Sequence, residues 1–333
     1  MESQQPRALS CLRTYGSVSF LCAAVYFLQG ISEPSEGLIA QPVRSWLRQA
    51  GYGAGLVGWY GAALTLPWVA KPFYGMLTDF VPLFGLRRKS YLIAAHSAAC
   101  LGLVAAYAAS AWWEFHVRPI MLLVPLLVAT IGVAFADVVI DAVMVEIGQR
   151  LKLTGRLQSI QWTAMYTATI VTGLLGGHLS QHHQQAAGLL LAALCAAVGL
   201  ALSILFVREP KREEVPVQHP LRAPTHPVNQ PVSLVRSLRP ILVQMDYAAQ
   251  VAPARLAGTV FALLTGLSNL SIGLATGWGG SLYESWAKLE GVEPAFRQVV
   301  AVGILTTASC WLLLLWFPRE SATSAPAAAS PPV

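Results

Sequence analysis

Residues 118–145 read RPIMLLVPLLVATIGVAFADVVIDAVMV, and from Pro119 to Ala136 no side chain is charged. A helix rising about 1.5 Å per residue needs about 20 mostly apolar residues to cross the hydrocarbon core of a bilayer. Water does not reach that core, so each backbone amide must be paired within the segment, as it is in a helix. This stretch is therefore expected to be a membrane helix, and Asp137 and Asp141 are the two side chains it has to account for.

Working outward, seven more stretches have the same blocked character: Gly16–Ala40, Ala54–Asp79, Ser90–Ser110, Leu157–Ser180, Ala186–Val207, Ala257–Tyr283 and Arg297–Phe317. With Arg118–Val145 they make eight expected spans. Across the 333 residues, 55% are hydrophobic and 11% charged, whereas soluble domains carry roughly 25% charged residues. The alternation that marks a membrane β-barrel is absent. The expected class is an all-α membrane protein.

The first span is the least regular. Glu33 and Glu36 flank Pro34 beside Gly30 and Gly37. Two readings stand: a hinge in the first helix with carboxylates facing a cavity, or an outer loop. Arg7 and Arg13 precede the apolar stretch, as in a signal peptide. No small-residue cleavage site follows Phe27 and a second long span comes soon after, so a retained span is expected.

The basic residues set the orientation. If the N-terminus is cytoplasmic, 16 of the 22 Lys and Arg fall on the cytoplasmic side, five fall opposite, and Lys71 lies within a helix. That bias predicts both termini inside and an even number of crossings. It also accounts for the net charge of +6 without nucleic acid, since no aromatic-rich basic patch is present. Cys11, Cys22, Cys100, Cys195 and Cys310 lie in or beside spans and show neither a disulfide nor a zinc framework.

Composition divides the chain. Residues 1–207 hold six spans. Residues 208–240 are rich in charge and proline, cannot bury a core, and are expected to form a cytoplasmic linker. Residues 241–317 hold two spans, with Ile241–Val251 too short to cross. The Ala, Ser and Pro tail over 318–333 is expected to be disordered. Six spans, a charged linker and further spans is the layout of the major facilitator superfamily, where two six-helix halves enclose a mid-membrane site. The second half here is four helices short of that layout.

The sharpest motif runs from Gly75-Met-Leu-Thr-Asp79 through Phe-Val-Pro-Leu-Phe to Gly85-Leu-Arg87-Arg88-Lys89. Gly75 permits close helix packing. Asp79 ends a helix where it can meet a cation or a helix N-terminus. The pattern resembles the superfamily signature between its second and third helices. Further words narrow the likeness: Tyr26-Phe-Leu-Gln-Gly30; Leu66-Pro67-Trp68-Val-Ala-Lys71-Pro72-Phe-Tyr74-Gly75; Ala136-Asp137-Val-Val-Ile-Asp141 running on to Glu146; Gly155-Arg-Leu-Gln158-Ser159 with Trp162; and Gly258-Thr-Val-Phe261 with Ser268-Asn269-Leu270. In this order they resemble the folate–biopterin transporter family over residues 15–210 and about 255–317. The resemblance implies a major-facilitator-like bundle working by alternating access. Gly75, Asp79, Gly85, Arg87, Arg88 and Lys89 would be its inner latch, set against the span that starts near Ala257.

The buried charges argue independently. Asp137 and Asp141 are four residues apart and share a helix face. A charge at the bilayer centre costs about 2.5–3.5 kcal/mol on insertion scales, so Lys71, Asp137 and Asp141 are expected to pair or to face water. Lys71 is expected to meet one of the two carboxylates, with one carboxylate exchanging a proton during transport. The plainer alternative places Asp141 and Glu146 at the cytoplasmic interface as loop anchors.

A flat polar solute suits aromatic faces and a few polar groups, which makes Glu33, Trp68, Tyr74, Gln158 and Trp162 candidate contacts, with Tyr166 a further aromatic. The histidines 178, 182 and 183 have no partner Cys or carboxylate, so no metal is expected, and no cofactor either. Asn269-Leu-Ser271 is a sequon inside a span and is expected to be unmodified. Gly51–Gly55, Gly173–Gly177 and Gly273–Gly277 are spaced for close helix contact. No nucleotide loop, nucleophile elbow or catalytic dyad is present, which argues against an enzyme.

The expected function is proton-coupled secondary transport of folate, a pterin or a related small solute across a plasma or organelle membrane. Two rivals stay open. One is another solute of the superfamily. The other is a truncated, non-transporting membrane protein, or one completed by a second copy or a partner chain.

Overall fold

The computed structural model describes residues 5–86, 88–112, 120–151, 153–207 and 257–314. Arg87, the expected linker over 208–240, the short stretch 241–251 and the expected tail lie outside them. Among the described residues there is no strand. The described residues form ten helices: α1 (Gln5–Ser32), α2 (Ala40–Gln49), α3 (Ala54–Val69), α4 (Lys71–Phe80), α5 (Lys89–Trp112), α6 (Ile120–Leu151), α7 (Thr154–Gln181), α8 (Gln185–Phe206), α9 (Ala257–Glu290) and α10 (Val292–Leu314). The protein is an all-α membrane helical bundle. Lys89–Ser110, Met121–Gly148 and Gln185–Phe206 are each long and apolar enough to cross a membrane, and Val18–Ser32 is apolar but shorter.

The chain forms two compact units, one over 1–280 and the other over 281–333. In the first unit the helices approach through small residues. A Cβ on Gly102 of α5 would meet the Pro125 carbonyl oxygen at 2.6 Å, and one on Gly132 of α6 would meet the Ala95 carbonyl oxygen at 2.5 Å. These contacts are with backbone, which cannot swing aside. Gly132→Leu should therefore lower stability by about 1–3 kcal/mol or more, read as a drop in the thermal midpoint of the detergent-purified protein. A Cβ on Gly58 of α3 would meet the Thr276 carbonyl oxygen at 2.7 Å, and one on Gly280 of α9 would meet that of Ala54 at 2.6 Å. Small residues thus bring α9 onto α3, as expected for membrane helices that lack a hydrophobic drive between them. The second unit holds the end of α9 and α10, with exposed Lys288–Glu284 and Arg297–Glu293 pairs at i,i+4 spacing.

The expected spans depart from the structure in three places. The first helix stops at Ser32, and the chain turns through residues 33–39 before α2. The Glu33–Gly37 stretch is therefore a turn. The short α2 was not expected, because Arg44 and Arg48 hide its buried stripe of Ala40, Val43 and Leu47. The expected single span over Ala54–Asp79 is two helices broken at Ala70. Pro67 lies in the last turn of α3 and Pro72 in the first turn of α4. Neither has an N–H, so two helical hydrogen bonds are lost close together and the axis breaks. The Ala70 amide instead closes a tight turn onto the Pro67 carbonyl at 3.2 Å.

Of the spaced glycines, Gly273 and Gly277 do pack closely, against Thr65 and the Trp59 ring. Gly51 does not. It has φ +86° with open space around it, a turn position rather than a contact. A Cβ on Gly173 would likewise meet nothing, and it is Gly176 that makes the approach, where a Cβ would lie 2.9 Å from the Leu38 carbonyl oxygen.

Candidate functional site

The break at Ala70 creates the site. It sets Lys71 at the first position of α4, where the side chain turns inward and is only 6% exposed. Lys71 Nζ lies 2.6 Å from Asp137 Oδ2 on α6. It also sits over the Trp68 ring, 4.6 Å from the centroid, within cation–π range. One turn along α6, Asp141 is equally buried. Its Oδ1 accepts hydrogen bonds from the Tyr26 hydroxyl of α1 and from Gln161 Nε2 of α7, the latter at 2.8 Å. Two carboxylates on one helix face thus have different partners, Asp137 a cation and Asp141 two neutral donors.

These groups line a cavity of about 270 Å³ inside the first unit, near the lower end of the range for small-molecule sites. Gly30 of α1 and the turn residues Glu33, Ser35, Glu36 and Gly37 line one part. Thr65, Trp68 and Lys71 come from α3 and α4, and Asp137 and Asp141 from α6. Gln161, Trp162, Met165 and Thr169 come from α7, and Thr265, Ser268, Asn269 and Ile272 from α9. Trp162 is 44% exposed and stacks on Tyr166, with centroids 5.6 Å apart.

Of the expected solute contacts, Glu33, Trp68 and Trp162 line this cavity. Tyr74 and Gln158 are outside the lining. Tyr74 stacks on Phe135 instead, at 4.9 Å between centroids. Sequence reasoning overlooked Tyr26 and Gln161 as site groups. For Gln161 a signal existed, since 161, 162, 165 and 169 recur at helical spacing on the face that carries Trp162. Asp141 faces the cavity, on the same wall as Asp137.

A second charged cluster closes the far end of α4. Arg88 is 7% exposed. Its Nη2 reaches Asp79 Oδ1 and Glu146 Oε1, both at 2.8 Å, and its Nη1 donates to Thr78 Oγ1 at 2.9 Å. Gly85, at φ +78°, makes the turn that brings Arg88 back onto Asp79. Lys89 Nζ caps the Ile204 carbonyl of α8 at 2.9 Å. The arrangement ties α4, α5 and α6 together. The expected contact with the first turn of α9 falls on residues whose side chains are not described. Among the described residues no cluster of His, Cys, Asp and Glu is arranged to hold a metal.

Comparison with known proteins adds the following. The family model described as the BT1 family matches residues 53–246. The folate-biopterin transporter of Synechocystis sp. is 30% identical over 197 residues, 58% of this chain and 38% of that protein. Probable folate-biopterin transporter 4 of Arabidopsis thaliana is 28% identical over 210 residues, 62% of this chain and 42% of that protein. Probable folate-biopterin transporter 2 of the same plant is 36% identical over 81 residues, 24% of this chain and 15% of that protein. The chain thus spans about two fifths of the length of the first two. No solved structure matches it.

Proposed function

This chain belongs to the BT1 family, and from that premise we propose that it carries the substrate cavity of a proton-coupled secondary transporter of folate, a pterin or a related small solute. The observation that carries the reading is the Lys71–Asp137 pair, buried in a membrane bundle on the wall of a cavity that also contains Asp141. Ionisable groups are costly in a membrane and mark solute or proton paths. Asp141 can take up and release a proton without breaking an ion pair, because its partners are neutral donors. When the Lys71–Asp137 pair opens, the freed ammonium becomes a partner for Asp141 or for an anionic solute. The face of Trp162 suits a flat heterocycle, and Ser268 and Asn269 offer hydrogen bonds to its edge. Alternating access would move the helices around this fixed site, with Arg88 and Asp79 as the inner latch and both termini cytoplasmic.

The test is uptake of labelled folate and biopterin into vesicles containing the inserted chain, with and without an imposed proton gradient. Uptake that rises with an inward gradient is expected. Equal uptake with and without the gradient would remove proton coupling. No uptake of either compound by inserted protein would overturn transport by this chain.

A further inference from the structure

Four groups on the cavity wall form one continuous chain. Glu33 begins the turn after α1 and is 6% exposed. Its Oε1 accepts the Ser35 backbone N–H at 2.8 Å, the Ser35 hydroxyl at 2.6 Å and Trp68 Nε1–H at 3.2 Å. Its Oε2 accepts the Glu36 backbone N–H. The indole held in this way is the ring beneath Lys71 Nζ, and Lys71 continues the chain to Asp137.

A carboxylate offers about four lone-pair sites; three donors crowd Oε1 of Glu33 and one takes Oε2, which leaves a single site open on Oε2. It has little left to give a solute. Its own place is set by backbone. The Gly37 amide donates to the Glu33 carbonyl at 2.9 Å, and that of Leu38 to the Ile31 carbonyl at 3.1 Å. Arg44 of α2 pins the Ser35 carbonyl at 3.1 Å. A Cβ on Gly37 would run into the carbonyl oxygens of Gly30 and Ile31, at 2.7 and 2.8 Å, so only glycine lets the turn fold this tightly. Glu33 is a fixed anchor, and Trp68 is the part it fixes.

We propose that Glu33 is a positioning residue rather than a solute contact: its carboxylate holds the Trp68 indole where the ring face carries the Lys71 ammonium, and so keeps Lys71 on Asp137. Asp141 lies one helical turn from Asp137, so an ammonium without that ring has a second carboxylate to choose. The turn over residues 33–37 and the buried ion pair then move as one body. The functional half of this inference rests on the transport reading above; the positioning half rests on the geometry alone.

The test uses the full chain labelled with 5-fluorotryptophan and followed by fluorine NMR in detergent micelles. Ten tryptophans are present, and the Trp68 resonance is the one lost in Trp68→Phe. Glu33→Gln and Lys71→Met should both move that resonance and leave the others in place. In vesicles, Glu33→Gln and Trp68→Phe should each lower the maximal uptake rate with KM little changed, and the double variant should stay within about twofold of the worse single, as residues acting through one another do. A Trp68 resonance unmoved by Glu33→Gln overturns the proposal. So do shifts spread over all the tryptophans, which mark a general structural role, and a raised KM at constant maximal rate, which marks a solute contact. If the unsubstituted chain takes up nothing, the transport reading fails while the fluorine spectra still decide the positioning.

Discussion

Lys71→Met is expected to abolish gradient-driven uptake and to lower stability by about 3–5 kcal/mol, the usual cost of removing one partner from a buried ion pair. Lys71 and Asp137 have side chains only 6% and 7% exposed, so solvent does little to screen what is left. Methionine fills the volume of the lysine stem but leaves the Asp137 carboxylate without its cation. Asp137→Asn breaks the pair from the other side, leaves an ammonium beside the Trp68 ring, and should also end coupled uptake while the chain still inserts. The informative variant is the double one, Lys71→Met with Asp137→Leu. A buried pair replaced by packed apolar side chains is often neutral or stabilising, so the thermal midpoint should return to near that of the unsubstituted protein. Uptake should not return. Recovery of both would make the pair a structural strut alone. Full gradient-dependent uptake by either single variant would remove it from the mechanism.

That a cation and a carboxylate would meet in the membrane was legible in the sequence, because each alone is too costly there. Which carboxylate Lys71 takes was not. That choice depends on the break at Ala70, and a break of one residue leaves no mark on the hydropathy of the stretch from Ala54 to Asp79. Pro67 and Pro72 were visible, yet a single proline is tolerated in membrane helices. What breaks the axis is the closeness of the two. The partners of Asp141 were hidden for another reason. Tyr26 is 115 residues away and Gln161 is 20 residues away, and spacing along one helix carries no information about a neighbouring one. The same holds for Glu146, which reaches Arg88 across 58 residues. The aromatic candidates divided according to packing: Trp68 and Trp162 face the cavity, whereas Tyr74 found a ring partner in Phe135. Residue type was the same kind of evidence for all three, so type alone could not separate them.

The two charged clusters together explain why α4 is short and separate. Lys71 to Asp79 is eight residues, or about 12 Å of helix, and Asp137 to Glu146 is nine, or about 13.5 Å, at about 1.5 Å per residue. The lengths match, so α4 lies alongside α6 in the same direction, joined to it near each end by a buried cation. Arg88→Met should release the Asp79 end of α4. The Asp79 side chain is 3% exposed, and removing the buried cation it pairs with should cost about 3–5 kcal/mol. The Glu146 side chain is 43% exposed, and an ion pair that wet contributes about 0–1 kcal/mol. The expected order of damage to the thermal midpoint is therefore Arg88→Met, then Asp79→Asn, then Glu146→Gln. Asp79→Asn ranks second because it leaves Arg88 still paired to Glu146 and bonded to Thr78. Arg88→Lys keeps the charge but not the planar fork that serves three acceptors from one position, and should fall beside Asp79→Asn. Uptake should follow the same order if this cluster is the proposed latch, since a latch that no longer closes cannot hold the cavity shut to one side. Equal loss in Arg88→Met and Glu146→Gln would mean that the exposed arm carries the latch, and would overturn the assignment of its strength to Asp79.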